Sequence, residues 1–156
     1  MRPSFDRENP TYRRTILSCR LGDSVPEKQL ISIVDDDATV REGTMDLFKS
    51  MGFGVAAYPS AADFLNSTHL HSTACLIADV QMPGMSGLEL HDRLVRSGNI
   101  IPTILITAYA DDRDRARALQ AGVTCYLVKP FAYNDLLACV RVALGTGEAD
   151  ETENHD

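Results

Sequence analysis

No tryptophan is present, there are only four cysteines, and none of the apolar runs in the 156 residues is long. The cysteines are Cys19, Cys75, Cys125 and Cys139; no two form a C-x-x-C pair, and no histidine stands at zinc-ligand spacing from them. That pattern excludes a disulfide framework and a structural zinc site and fits a reducing cytosol. Cys75, Cys125 and Cys139 read as small buried hydrophobes. No apolar run approaches the roughly 18 residues of a membrane-spanning helix. The first 29 residues lack the continuous apolar stretch of a secretory signal. Positive charge is also in short supply. Fifteen Lys and Arg face 22 Asp and Glu, a net −7, which argues against a basic nucleic-acid footprint.

What is present fits one soluble globular domain. The length matches the usual size of a single domain, and a chain of this size buries about 70% of its unfolded surface. Charge is unevenly distributed. Residues 1–29 carry six basic and four acidic side chains, whereas residues 145–156 carry five acids and no Lys or Arg. The expected organisation is a disordered tail over 1–28, one folded domain over 29–145, and an acidic disordered tail over 146–156, too polar to bury itself.

Between the tails, short apolar runs alternate with helical stripes. Leu30–Val34 (LISIV), Val55–Tyr58, Cys75–Ala78 (CLIA), Thr103–Ile106 (TILI) and Tyr126–Val128 (YLV) read as strands. The stretches 39–51, 61–65, 88–95, 111–121 and 136–144 show helical periodicity, and Gly52 and Gly122 mark stops. Near-continuous hydrophobicity in short strands is what a parallel sheet covered on both faces requires. Five such units with right-handed crossovers predict an α/β fold: a doubly wound, five-stranded parallel sheet with helices on both faces.

The polar residues Asp35, Asp36, Asp79, Thr107 and Lys129 all follow strand carboxyl ends, the edge where such sheets bind ligands. Three carboxylates gathered there repel each other and need a cation. A hard divalent ion such as Mg2+ takes a few carboxylates together with water and phosphate oxygens. Lys129 adds a fixed positive charge and Thr107 a hydroxyl donor. That set suits a phosphoryl group, with a carboxylate as nucleophile forming an acyl phosphate. Singly, each residue has an ordinary explanation. Asp35 and Asp36 would cap a helix, Asp79 would be a turn acid, and Lys129 would be solvated. Thr107 would be a hydroxyl bonded to backbone, and Tyr126 a strand aromatic. Only the joint arrangement points to chemistry.

Four segments carry a resemblance: VDDD at 34–37, IADVQMPGMSGLEL at 77–90, ITAYAD at 106–111 and AGVTCYLVKPF at 121–131. Together they resemble the receiver domain of two-component response regulators, most closely the FixJ type, over about residues 29–145, and the resemblance implies a flavodoxin-like sheet in strand order 2-1-3-4-5. By position, the resemblance implies that Asp79 accepts phosphoryl from a sensor histidine kinase. It implies that Asp36 binds Mg2+ directly, Asp35 through water, and Gln81 through its backbone carbonyl, with Asp79 completing the metal set. Thr107 and Lys129 would bond phosphoryl oxygens, and Pro130 would follow a cis peptide. Thr107 and the aromatic Tyr126 would be the switch pair, with Tyr126 turning inward as Thr107 moves. Asp37 is extra to this set and reads as the cap of the first helix. Gln81 and Tyr109 flank the phosphoryl position and are expected to tune hydrolysis. His69, His71, His91 and His155 are assigned no chemistry.

Because the chain ends about a dozen residues after the last helical stripe, the expectation is a stand-alone, cytoplasmic receiver. It would not contact nucleic acid or membrane itself, and would be a monomer or a phosphorylation-dependent dimer. Its output would be a switched protein-binding surface on helix 111–121, strand 126–128 and the final helix, where Arg113, Arg115, Arg117 and Arg141 lie; the downstream target is unknown. Alternatively it would be a phosphoryl sink or relay. Its own phosphorylation and dephosphorylation would be weakly catalysed, without its being an enzyme in the usual sense. A haloacid-dehalogenase-type phosphatase would need an acid two positions after its nucleophile, where Gln81 stands. A flavin binder would need a glycine-rich phosphate loop, which is missing. A degenerate receiver working without phosphate is disfavoured by the intact set.

Overall fold

The computed structural model describes residues 28–145. The terminal tails, with Cys19 and His155, lie almost wholly outside that range. Five strands alternate with five helices: β1 (Leu30–Val34), α1 (Ala38–Ser50), β2 (Gly54–Tyr58), α2 (Ala61–Leu65), β3 (Thr73–Asp79), α3 (Gly87–Arg96), β4 (Thr103–Thr107), α4 (Asp112–Gln120), β5 (Cys125–Val128) and α5 (Tyr133–Ala143). A single 3-10 turn, Leu70–Ser72, precedes β3. The strands form one sheet in the order β2-β1-β3-β4-β5, and every pairing is parallel. The predicted fold class and strand order are those observed.

Alternation along the strands builds two cores, because successive side chains in a strand point to opposite faces. Ile31, Ile33, Cys75, Ile77, Ile104 and Ile106 face one side and pack against Phe48 of α1 and Leu136, Cys139 and Val140 of α5. Leu76, Ala78 and Leu105 face the other and meet Phe64 of α2, Leu90 and Leu94 of α3, and Ala118 of α4. Burying both faces removes the polar alternation of a half-exposed strand, so these strands read as solid apolar runs.

Four of the five described helices start where short polar side chains cap them. Asp37 accepts from the N–H groups of Thr39 and Val40 at 2.9 and 3.2 Å, as expected of it. Ser86 and Glu89 form a reciprocal capping box on α3, and Asp111 caps α4. Each cap satisfies an N–H that has no partner inside its helix.

The observed β3 begins two residues before the apolar run that predicted it. Thr73 and Ser32 are buried polar residues, and their hydroxyls bond each other at 2.7 Å across β1 and β3. This pairing hides two polar groups inside the sheet, where hydrophobicity alone would not place them. Cys75 and Cys139 are buried as expected, but Cys125 is only half-buried, being on the edge strand; all three are free thiols.

Candidate functional site

The chain leaves β1 for β2 on one side and β3 for β4 on the other. The carboxyl ends of β1 and β3 therefore flank the point where the sheet's winding reverses. Asp35 and Asp36 directly follow β1 and Asp79 is the last residue of β3. Carboxylate oxygens of these three residues lie within 4.8 Å of one another. Asp35 and Asp79 are buried, whereas Asp36 is exposed. Backbone bonds set the spacing. The Asp35 N–H donates to the Tyr58 carbonyl at 3.1 Å, and the Val80 N–H to the Ile106 carbonyl at 2.8 Å.

The two buried acids are held by neighbouring amides. Asp35 Oδ1 accepts from the Asp37 N–H at 2.9 Å, and Asp79 Oδ1 from the Gln81 N–H at 3.3 Å. Lys129, just beyond β5, brings its ammonium to 3.7 Å from Asp79 Oδ2. Burial raises the Asp79 pKa above the ordinary aspartate value; Lys129 opposes the shift and Asp36 adds to it. Burial likewise raises that of Asp35, helped by the Asp79 and Asp36 charges and opposed by the Asp37 N–H and Lys129. One ammonium against three carboxylates leaves the cluster short of positive charge. Its donors are all hard oxygens, the set that Mg2+ takes, so the residues present fit that ion.

Thr107 ends β4 and is fully buried. Its hydroxyl donates to Gln81 Oε1 at 2.7 Å, and the same carbonyl oxygen accepts the Ala108 N–H at 3.4 Å. Thr107 is thus beside the acidic cluster but bonded to the Gln81 side chain. Tyr126 is already inside, only 5% exposed; among the described residues its hydroxyl makes no hydrogen bond within 3.5 Å, and the Thr107 side chain is its nearby polar neighbour. The ring thus already occupies the inward position that the switch was expected to bring it to. The Lys129–Pro130 peptide is cis.

Three contributors escaped the sequence reading or acquired a different reason. Arg41 on α1 donates to the Asp35 backbone carbonyl at 2.7 Å, holding the loop that carries two of the acids; no motif marks it. Arg115, one of the four surface arginines, reaches the Tyr126 carbonyl at 3.4 Å. Gly87 is needed for its small size and not for its conformation, since its φ is not positive. A Cβ there would fall 2.6 Å from the Asp79 carbonyl oxygen and 3.0 Å from Leu105 Cδ2. Glycine lets the start of α3 lie directly against the strand end that carries Asp79.

A doubly wound parallel sheet with an acidic cluster and a lysine at its switch point defines the flavodoxin-like class of α/β signalling domains. The chain belongs to the response regulator receiver domain family, whose model matches residues 31–141. It is 40% identical over 118 residues to response regulator protein TmoT of Ectopseudomonas mendocina, a match covering 76% of this chain and 54% of TmoT. The solved structure of response regulator StyR superposes with a TM-score of 0.71 at 37% identity, covering 83% of this chain and 67% of StyR. The crystal structure of FixJ-N gives 0.69 at 30% identity, covering 77% of this chain and 96% of that one. The chain spans about half the length of the curated relatives it matches. Among the described residues, no helix is long and apolar enough to cross a membrane.

Proposed function

We propose that this receiver accepts a phosphoryl group on Asp79 from a sensor histidine kinase and uses it to switch a protein-binding surface. The observation that carries the reading is the position of the Asp79 carboxylate. It is buried at a strand end, with Asp35 and Asp36 oxygens within 4.8 Å and the Lys129 ammonium at 3.7 Å.

An Asp79 carboxylate oxygen attacks phosphorus, the bond to the donor imidazole breaks, and the imidazole leaves with the electron pair and is reprotonated. The product is an acyl phosphate. Asp35, Asp36, Asp79 and the Gln81 backbone carbonyl would hold Mg2+, which when bound neutralises the acids and the phosphoryl oxygens. Lys129 moves from the Asp79 carboxylate to a phosphoryl oxygen, and the Thr107 hydroxyl bonds another. The added charge and acceptors favour an arrangement in which Thr107, Tyr126 and the surface of α4, β5 and α5 repack together. We place this activity in the cytoplasm, with a downstream protein as the reader of that surface. Domain limits of 29–145 fit the reading, because both cores and every site residue fall inside them.

Incubating the full chain with Mg2+ and a small phosphodonor and resolving it on a phosphate-affinity gel tests the assignment. One retarded species is expected, absent in Asp79→Asn. A fully shifted Asp79→Asn overturns it, and sustained turnover of many phosphate esters would move the reading to a hydrolase.

A further inference from the structure

We propose that the Gln81 side-chain carbonyl is a built-in competitor for the phosphoryl group, holding the Thr107 hydroxyl and the Ala108 N–H until phosphorylation takes them over. The proposal rests on the reading of Asp79 and Thr107 given above and adds a residue-level control to it.

A threonine hydroxyl has a single proton to give. Two acceptors lie within 3.5 Å of Thr107 Oγ1, Gln81 Oε1 at 2.7 Å and the Tyr109 carbonyl at 3.3 Å, with the Tyr126 hydroxyl close by but making no bond of that length. The short contact has the usual length of a strong O–H···O bond and takes the proton. The Tyr109 N–H donates to the same Oγ1 at 3.0 Å, which leaves the hydroxyl aimed at Gln81. Gln81 Oε1 therefore collects two donors from the end of β4, one buried side chain and one backbone amide. Gln81 lies two residues beyond Asp79 and its own N–H bonds the Asp79 carboxylate, so the competing acceptor sits beside the acceptor of phosphoryl.

The competitor is also free to leave. Gln81 is an exposed residue, and an open cleft of about 620 Å3 lies beside it, whose mixed lining includes the polar Ser86, Glu89, Asp114 and Arg117 as well as apolar side chains such as Met82 and Leu88. A displaced amide exchanges its two protein donors for water there. The bonds lost in the unphosphorylated state then oppose phosphoryl capture by their net worth. One good hydrogen bond corresponds to about a fivefold change in an equilibrium.

The test measures binding of beryllofluoride, a phosphoryl mimic, to the full chain with Mg2+ by titration calorimetry, in wild type, Gln81→Ala and Gln81→Met. Both variants keep the backbone carbonyl, and methionine keeps the length of the side chain. Both are expected to bind about fivefold more tightly. Without Mg2+ or mimic, both are also expected to exchange the Ala108 amide proton several-fold faster than wild type. Unchanged or weaker binding in either variant overturns the proposal, and tightening in Gln81→Ala alone assigns the effect to bulk and overturns it too. Asp79→Asn separates the two levels. If wild type and Asp79→Asn bind the mimic equally, the phosphoacceptor reading itself falls. If only Asp79→Asn loses binding while the Gln81 variants match wild type, that reading stands and the competition falls.

Discussion

Replacing Asp35 with Asn is expected to stabilise the metal-free chain while weakening its response to Mg2+. Asp35 is buried, and one of its carboxylate oxygens lies within 4.8 Å of one of Asp79's. At an effective dielectric near 20, two charges at that distance repel by about 3.5 kcal/mol. Lys129 and the Asp37 N–H offset part of this, and the acid also relieves it by taking up a proton, so the net gain on neutralisation is about 1–2 kcal/mol. Asparagine keeps an amide oxygen for the Asp37 N–H, so the loop geometry has no reason to fail. For a domain of this size each kcal/mol moves the melting temperature by about 3–6 °C.

The pH dependence has a definite sign. Both buried acids have pKa values raised above 3.8 in the folded chain, so the folded state binds more protons than the unfolded one between that value and the raised ones. The penalty is full above the raised folded values, shrinks as pH falls through them, and is gone below the unfolded value. Melting in EDTA from pH 7 down toward the ordinary aspartate value of 3.8 checks this. Wild type should gain stability on acidification relative to Asp35→Asn, and at pH 7 the variant should melt higher. Mg2+ at 100 times its Kd adds about 2.7 kcal/mol to wild type at pH 7, less as the pH falls through the raised values, and less to the variant at pH 7. A variant that melts at or below wild type in EDTA at pH 7 would refute the account of crowded, under-compensated acids.

Tyr126→Phe removes a buried hydroxyl with no partner, so it is expected to raise stability by about 1 kcal/mol; a lower unfolding midpoint in urea would show that the hydroxyl is in fact satisfied. Gly87→Ala drives a Cβ to 2.6 Å from the Asp79 carbonyl oxygen, so a loss of about 2 kcal/mol or more is expected, together with a reduced Mg2+-induced thermal shift. Wild-type melting and Mg2+ response in this variant would mean that α3 moves aside without disturbing the site.

Much of this molecule was legible in its residues because the physics involved is local or periodic. Solid apolar runs such as LISIV and CLIA announce a sheet buried on both faces. Asp37 and the stop glycines Gly52 and Gly122 announce helix ends, since capping depends on residues a few positions away. The acids and the lysine at strand ends were visible as a group because parallel strands all present the same end to the same edge. That alone pointed to the carboxyl edge as the site, with Asp35, Asp36, Asp79, Thr107 and Lys129 on it.

The tertiary structure decided which side chains engage which. Gln81 and Thr107 are 26 residues apart, and their 2.7 Å bond depends on a loop and a strand end meeting in one side-chain conformation. Arg41 reaches the Asp35 carbonyl because α1 folds back over the loop it grew from. Gly87 is required by a neighbour's backbone eight positions earlier rather than by its own φ. Residue pattern carries burial and element type, which are averages over many contacts. A single hydrogen bond or steric gap is fixed to tenths of an ångström by the packing of the whole domain, and no one-dimensional spacing encodes that.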